Sequence, residues 1–240
     1  MPETLRGKQI VLAGGSGGIG SATVELLAAE GARLVVSYRA NAERAARFER
    51  LATVVQADLT RGEDRRRLLD QAPELYGLVV FAGDPARGRD GETVEDTMRR
   101  SHEVNYLGPI LLAREAAERM KAGGTQGAVV LFSTMQAVDL FPNSTTYAAP
   151  KAALVHAARI LAKECRGPAN IRVNVVSPGV TAAGMAEASI ASGKYDRYLH
   201  DGIVPRFGRA ADVARAVRFF LEPDNYVTGQ ALSVDGGITL

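Results

Sequence analysis

The chain of 240 residues contains one cysteine and three histidines far apart in the sequence, which argues against a disulfide framework and against a metal site built from thiolates or imidazoles. Its 29 basic and 27 acidic residues leave a net charge of +2, so charge indicates neither nucleic acid nor a membrane surface as a partner. No apolar run approaches the ~20 residues that span a bilayer, and none near the start could form a signal-peptide core, so we expect a cytoplasmic protein.

Short apolar runs alternate with segments of helical periodicity along the chain. The runs are rich in β-branched residues, which is typical of parallel strands buried on both faces. They are Ile10–Ala13, Leu34–Ser37, Ala52–Val55, Leu78–Phe81, Ala128–Phe132, Val173–Val176 and Ala231–Val234. The clearest helical segments are Ile19–Leu27, Ile110–Lys121, Ala152–Glu164 and Val213–Leu221. This alternation predicts one α/β domain over residues 1–240, with a Rossmann-type doubly wound parallel sheet of about seven strands.

The segment Val180–Pro205 interrupts the alternation. It is rich in small residues and also carries Tyr195 and Tyr198. An insertion of this length late in an α/β domain is typical of a lid over a functional site. We therefore predict a substrate lid at residues 180–205, with a mobile surface loop as the alternative.

A glycine-rich loop follows the first predicted strand directly. Glycines let backbone N–H groups approach an anion at the start of a helix, where the helix dipole also favours negative charge. Because a helical pattern begins within this loop, it predicts the phosphate-binding turn of a dinucleotide site. The residues assigned to that contact are Gly14, Ser16, Gly17, Gly18, Ile19 and Gly20.

The end of the second predicted strand bears on the choice of cofactor. A carboxylate about 20 residues after the glycine loop would bind the ribose diol of NAD, whereas arginine there accommodates the 2′-phosphate of NADP. The sequence at this point is Ser37-Tyr38-Arg39, and no acid occurs before Glu43. We expect Arg39, with a possible contribution from the Ser37 hydroxyl, to favour NADP(H) over NAD(H).

Tyr147 and Lys151 are separated by one helical turn, which places them on the same helix face. An ammonium beside a phenol favours the phenolate and lowers the tyrosine pKa from about 10. Such a pair suits general acid and base catalysis of an alcohol–carbonyl interconversion. Pro150 is tolerated in the first turn of a helix, so we expect the helix to begin close to Tyr147.

Taken together, these motifs identify a family: the chain resembles the short-chain dehydrogenase/reductase family over nearly its full length. The family's glycine loop appears as Ala13-Gly14-Gly15-Ser16-Gly17-Gly18-Ile19-Gly20, and its tyrosine and lysine match Tyr147 and Lys151. The resemblance implies that Asp58 and Leu59 contact adenine, and that Asn105 positions a water linking Lys151 to solvent. The remaining cofactor contacts implied are Ala82, Gly83, Asn105, Tyr147, Lys151, Pro178, Gly179, Val180 and Thr181.

Two adjacent residues compete for the role of the family's catalytic serine. That serine usually lies thirteen residues before the tyrosine, which corresponds to Thr134 here, while Ser133 would serve if the following loop were one residue shorter. Threonine keeps a hydroxyl that can donate to a substrate oxygen. We expect Thr134 to take the role, with Ser133 as the alternative, and we expect residues such as Met135, Gln136, Asp139 and Phe141 to line the pocket.

A second departure from the family is Val80-Phe81-Ala82-Gly83, where Asn-Asn-Ala-Gly is usual. Phe81 can supply only apolar packing in place of the asparagine. We expect the backbone turn at Ala82-Gly83 to be kept.

The function implied by the resemblance is an NADP-dependent oxidoreductase that transfers a hydride between nicotinamide and a ketone or secondary alcohol, with Tyr147 as general acid and base. Lys151 is expected to lower the pKa of Tyr147 and to bind the ribose. The chain is most similar to 3-oxoacyl-(acyl carrier protein) reductase-like members. The alternative is a non-catalytic dinucleotide-binding sensor or structural relative. Family members pair through their helices, so we expect a homo-tetramer, with a dimer second.

Overall fold

Seven parallel strands form one sheet in the computed structural model, which describes residues 4–240. The strands are β1 (Gln9–Ala13), β2 (Arg33–Tyr38), β3 (Ala52–Gln56), β4 (Leu75–Val80), β5 (Ala128–Phe132), β6 (Arg172–Pro178) and β7 (Ala231–Val234). Their order is β3-β2-β1-β4-β5-β6-β7, which confirms the predicted doubly wound sheet. Residues 1–3, which belong to the predicted domain 1–240, lie outside the described residues.

Helices cover both faces of this sheet. Within residues 4–240 they are α1 (Gly18–Ala29), α2 (Ala42–Ala46), α3 (Gly62–Asp70), α4 (Val94–His102), α5 (Gly108–Ala122), α6 (Thr145–Glu164), α7 (Glu187–Ala191), α8 (Asp196–His200) and α9 (Ala210–Leu221). A π-helical turn, Glu103–Leu107, joins α4 to α5, and 3-10 turns lie at Met135–Ala137 and Gly184–Ala186. None of the helices in the described part of the chain is both long and apolar enough to cross a membrane.

Alternate residues of the central strands face two separate apolar layers, because successive side chains of a strand point to opposite faces. Leu78 lies in the layer with Leu112 of α5 and Leu154 of α6. Its neighbour Val79 lies in the layer with Val24 of α1 and with α9. Burial on both faces explains why the strands read as continuous apolar runs.

The strand order reverses between β1 and β4, and this switch point opens a crevice at the carboxyl ends of the strands. The chain segments that follow the two strands remain hydrogen-bonded there. The Ala13 carbonyl accepts hydrogen bonds from the N–H groups of Phe81, at 2.9 Å, and Ala82, at 3.3 Å. These bonds extend the pairing of the two chain segments as far as Ala82, and the backbone turn expected at Ala82-Gly83 stays a prediction.

Helix α6 begins at Thr145, close to Tyr147 as expected, but Pro150 lies in its second turn rather than its first. Proline lacks an N–H, so the Thr146 carbonyl loses its intrahelical donor. Ser101 of α4 replaces that donor, with its hydroxyl oxygen 2.5 Å from the Thr146 carbonyl oxygen. The expectation that Pro150 requires the first turn was wrong, because a side chain from another helix satisfies the freed carbonyl.

The predicted lid segment, residues 180–205, is folded into the Gly184–Ala186 turn, α7 and α8. Its side chains Val180, Tyr198 and Val204 form a small apolar cluster with Met135 and Ile238. This cluster anchors the segment beside the turn that follows β5, so the segment covers the carboxyl ends of the strands.

Candidate active site

A cavity of about 1040 Å³ lies between the carboxyl ends of the strands and the lid segment. The glycine loop after β1 lines one end, and the start of α6 and the lid line the other. The predicted catalytic and cofactor-contacting residues all line this cavity except Asn105, which is fully buried. The geometry therefore brings together residues that are spread from position 14 to position 181 of the sequence.

The glycine loop has the shape of an anion cradle. Gly14 has φ +76°, and a β-carbon there would lie 2.9 Å from the backbone nitrogen of Ala82, so only glycine fits. Helix α1 follows with Gly17 as its N-cap, which offers no side-chain cap, and without an acidic residue in its first turn. The unsatisfied N–H groups of that first turn therefore fit the pyrophosphate of a dinucleotide.

The lid lies directly against this loop. A β-carbon on Gly18 would lie 2.4 Å from the backbone nitrogen of Gly184, a distance that no side chain could tolerate. The backbone of the lid and the start of α1 are thus in contact. Met185 of the lid also approaches Gly83. Its terminal carbon lies 3.7 Å from the position that a β-carbon on that glycine would take.

Ser37 has a different contact from the one expected. Its side chain is almost fully buried, and its hydroxyl oxygen accepts a hydrogen bond of 3.0 Å from the N–H of Gly14. Ser37 therefore fixes the conformation of the glycine loop. Arg39 lines the cavity as predicted, and Arg44 of α2, which sequence reasoning missed, lines the same end.

Ser133 and Thr134 point in different directions. The Ser133 hydroxyl donates to the backbone carbonyl of Lys151 over 3.1 Å, inside the packed layer between β5 and α6. Thr134 makes a hydrogen bond with the Tyr147 side chain that favours the ionised phenol, and its oxygen accepts a 3.3 Å bond from the N–H of Gln136. Thr134 is thus the hydroxyl that meets Tyr147 inside the cavity.

The protonation of Tyr147 is governed by burial. Removal from water raises the pKa of Tyr147 to about 12, the hydrogen bond from Thr134 opposes this rise, and the acidic groups of Tyr195 and Asp84 add to it. The sequence led us to expect that Lys151 would lower this pKa. The structure gives the opposite net direction, because the loss of hydration exceeds the stabilisation of the phenolate.

Lys151 is also buried, with only 2% of its surface exposed. Its ammonium donates a hydrogen bond of 2.9 Å to the Phe132 carbonyl at the end of β5. Burial lowers the pKa of Lys151 to about 8, so the group is charged at neutral pH but close to its titration point. Tyr147 and Lys151 therefore share one water-poor environment.

The side chain of Asn105 is hydrogen-bonded to the loop after β4, close to Lys151. Its side-chain oxygen accepts from the N–H of Asp84 at 3.0 Å, and its amide nitrogen donates to the Asp84 carbonyl at 2.9 Å and to Ser101 at 3.0 Å. A β-carbon on Gly83 would lie 3.2 Å from the Asn105 oxygen and 3.6 Å from the Lys151 nitrogen. The π-helical turn that carries Asn105 is of the kind that often marks functional sites.

Phe81 makes the apolar contact expected of it, since its ring lies 4.6 Å from that of Phe132, centroid to centroid. Polar contacts in this region come from residues further along the chain. Asp84 accepts from Arg100 at 2.5 Å and from the N–H of Ala86 at 2.7 Å. Arg100 also pairs with Glu92, so the loop after β4 is held by charged groups that the motif comparison did not single out.

Sequence reasoning missed several polar side chains at the lid end of the cavity. Met135, Gln136 and Phe141 line it as expected, whereas Asp139 is not among the lining residues. Arg87, from the loop after β4, and Lys194 of the lid line it without having been singled out, and Tyr195, noted in the predicted lid segment, lines it too. The direction of these three could not be inferred from the sequence, because neither loop has a periodic pattern.

Comparison with known proteins agrees with this geometry. Residues 13–239 match the family model described as "Enoyl-(Acyl carrier protein) reductase". An uncharacterized oxidoreductase of Methylorubrum extorquens is 35% identical over 98% of both chains. "NADPH-dependent aldehyde reductase 2, chloroplastic" of Arabidopsis thaliana is 30% identical over 100% of this chain and 96% of its own.

A solved structure supports the same relationship. It is a 7α-hydroxysteroid dehydrogenase in complex with NADH and 7-oxo glycochenodeoxycholic acid, with a TM-score of 0.89 and 29% identity. The alignment covers 98% of this chain and 95% of that one. The similarity thus extends over the whole sheet, the cavity and the lid.

Proposed function

Because the chain belongs to the short-chain dehydrogenase/reductase family, we propose that it interconverts a ketone and a secondary alcohol with NADP(H), using Tyr147 as general acid and base. The chain is a hydride-transferring oxidoreductase that uses a nicotinamide cofactor. The observation that carries the finer proposal is the meeting of Thr134, Tyr147 and Lys151 in a cavity whose other end is the glycine loop.

The nicotinamide, when bound, supplies the hydride in reduction and accepts it in oxidation. Tyr147, whose pKa is about 12, holds its proton at neutral pH and can donate it to a carbonyl oxygen that gains negative charge. The Thr134 hydroxyl orients the substrate oxygen towards the phenol. Lys151 contributes a positive charge beside the site, and its ammonium would bind the hydroxyls of the ribose.

The preference for NADP(H) rests on the residues after β2. Arg39 and Arg44 line the cavity there, and neither guanidinium forms an ion pair within residues 4–240. β2 ends without an acid to bind the ribose diol of NAD. Two unpaired guanidinium groups at this place favour a cofactor with an additional phosphate.

Titration of the protein with NADPH and NADH tests the cofactor proposal. We expect tighter binding of NADPH, and we expect Arg39→Ala to remove most of the difference while leaving NADH binding nearly unchanged. Arg50→Ala, which changes an exposed arginine outside the cavity, serves as the charge control. Equal affinities of the native protein for the two cofactors would contradict the proposal.

A panel of ketones and secondary alcohols, followed by NADPH absorbance, tests the reaction itself. We expect turnover of at least one ketone class, with alcohol oxidation by NADP⁺ favoured at higher pH because protons are released. Cofactor binding without turnover across the panel would instead support a non-catalytic sensor. The intact polar contacts of Tyr147 and Lys151 support the enzyme.

We also propose that the protein forms a homo-tetramer, with a dimer as the second possibility. Apolar side chains that do not line the cavity are exposed, among them Ile160 of α6 at 48%, Phe219 of α9 at 44% and Leu232 of β7 at 40%. Burial of such side chains between copies would stabilise an assembly. Sedimentation equilibrium gives the number of chains directly.

A further inference from the structure

The cavity carries unpaired positive charge at both of its ends. At one end, Arg39 and Arg44 lie where the proposed function requires a cofactor phosphate. At the opposite end, Arg87 and Lys194 line the wall next to the lid. Within residues 4–240, Arg87 and Lys194 form no ion pair, and neither do Arg39 and Arg44. Most of the arginines that do not line the cavity are ion-paired.

Arg87 is held in place by a neutral partner. Its guanidinium donates to the Ser189 hydroxyl of α7 at 3.2 Å, which joins the loop after β4 to the lid. Ser189 is also hydrogen-bonded to the Tyr195 hydroxyl, and burial raises the pKa of Tyr195 while the charge of Arg87 opposes that rise. Within residues 4–240 the Arg87 guanidinium makes this one hydrogen bond, so its other N–H groups are available to a ligand in the cavity.

Lys194 also lies close to Tyr195. Its ammonium is 5.6 Å from the centroid of the Tyr195 ring. Tyr195 in turn lies within electrostatic range of Tyr147, since an ionised Tyr195 would raise the pKa of the Tyr147 phenol. Both cations therefore lie near a tyrosine that adjoins the proposed reaction centre.

Among residues 4–240, the acids near this end of the cavity form no ion pair with Arg87 or Lys194. Glu187, which also lines the cavity, accepts the N–H of Gly184 at 2.8 Å. Asp84 is paired with Arg100 and Arg89. Among the charged residues that line this end of the cavity, the cations Arg87 and Lys194 outnumber the single carboxylate of Glu187, so the lining carries a net positive charge.

We propose that Arg87 and Lys194 form an anion subsite, and that the substrate is a ketone or secondary alcohol bearing a carboxylate or phosphate group. This inference rests on the proposed function, whose site it extends from the reacting carbonyl to the far end of the substrate. The anionic group lies one tyrosine side chain away from the carbonyl, between the loop after β4 and the lid. Neutral substrates lack the charge-assisted hydrogen bonds that the two cations offer.

Matched pairs of ketones test the subsite: 4-oxopentanoate against its methyl ester, and dihydroxyacetone phosphate against dihydroxyacetone. With saturating NADPH, we expect kcat/KM to be roughly tenfold higher for the anionic member of at least one pair, the size of one charged hydrogen bond. The pair that shows the preference identifies the group as carboxylate or phosphate. Arg87→Gln and Lys194→Gln are each expected to reduce the ratio severalfold, and Arg50→Gln is expected to leave it unchanged.

Binding to the protein–NADP⁺ complex, in which a ketone cannot be reduced, separates this inference from the proposed function. Calorimetric binding that favours the anionic member, and that Arg87→Gln abolishes, supports the subsite. If this binding occurs without turnover, only the proposed function is contradicted. Turnover without any preference for the anionic member overturns the subsite and leaves the proposed function standing. Failure of every anionic member to bind also overturns the subsite.

Discussion

Two neighbouring hydroxyls at the end of β5 have opposite environments, and strand geometry explains the difference. Ser133 continues the alternation of β5 and faces α6, where it bonds to the Lys151 carbonyl. Thr134 begins the following 3-10 turn and faces the cavity. Counting back from Tyr147 favoured Thr134, but only the structure shows what Ser133 does instead.

Substitution of each hydroxyl separates catalysis from packing. We expect Thr134→Ala to lower kcat/KM by roughly 10²-fold, since it removes a donor to the reacting oxygen. Ser133→Ala should cost about 1 kcal/mol of stability and leave kcat/KM within a few-fold. Steady-state kinetics and urea unfolding of both variants measure these effects, and the reverse pattern would assign the catalytic role to Ser133.

Burial dominates the ionisation of Tyr147 and Lys151, which is why their spacing alone predicted the wrong direction for the tyrosine pKa. The sequence places the two residues on one helix face, yet it carries no measure of how much water reaches them. Both groups lose hydration, so both pKa values shift towards the neutral form. The buried ammonium of Lys151 therefore lowers the free energy of unfolding, although the proposed function uses its charge.

Lys151→Met tests that cost. Because the pKa of Lys151 falls from 10.5 to about 8 on folding, the unfolded chain binds more protons between these pH values, and native stability rises across that range. At pH 7 we expect Lys151→Met to raise the free energy of unfolding by about 1–3 kcal/mol. The loss of the hydrogen bond to the Phe132 carbonyl reduces this gain. The difference should shrink as pH rises from 8 to 10.5.

Urea unfolding at pH 7 and pH 10 measures this effect, and Lys163→Met, which changes an exposed lysine, serves as the control. A variant less stable than the native protein at pH 7 would show that the contacts of Lys151 outweigh its desolvation. The same variant should lose turnover in either case.

At the scale of elements, the strands were predictable and several helices were not. The runs chosen as strands match β1 to β7 to within a few residues, because burial on both faces leaves a strong apolar signal. Helices α2, α3 and α4 were not predicted, since they are short and polar; α3, for example, reads GEDRRRLLD. The π-helical turn has no sequence signal of its own.

The contact between α4 and α6 depends on one serine. Ser101 satisfies the Thr146 carbonyl that Pro150 leaves without a donor, and it also accepts from Asn105. We expect Ser101→Ala to lower the free energy of unfolding by about 1–3 kcal/mol, because two buried polar groups lose a partner.

Thermal or urea unfolding of Ser101→Ala gives this value, with Thr145→Ala as the exposed control expected to change stability by less than about 0.5 kcal/mol. A loss no larger than that of the control would mean that the Thr146 carbonyl finds another donor.

At the scale of the molecule, the switch point between β1 and β4 explains why motifs far apart in sequence meet in one cavity. The motifs predicted the glycine loop, the tyrosine and lysine, and the segment after β6, and all of these line the cavity. The lid end was not predictable in the same way. Arg87 and Lys194 lie on non-periodic segments, so their approach to Tyr195 depends on tertiary packing that the sequence does not display.

The most direct test of the whole account compares the native protein with Tyr147→Phe in NADPH-dependent ketone reduction, together with NADPH binding. The account predicts that the variant loses turnover by roughly 10²–10⁴-fold, because the phenol is the proton donor. It also predicts an NADPH affinity within about twofold of the native value. Native-like turnover in Tyr147→Phe would contradict the account, as would a native protein that binds NADPH and reduces no ketone.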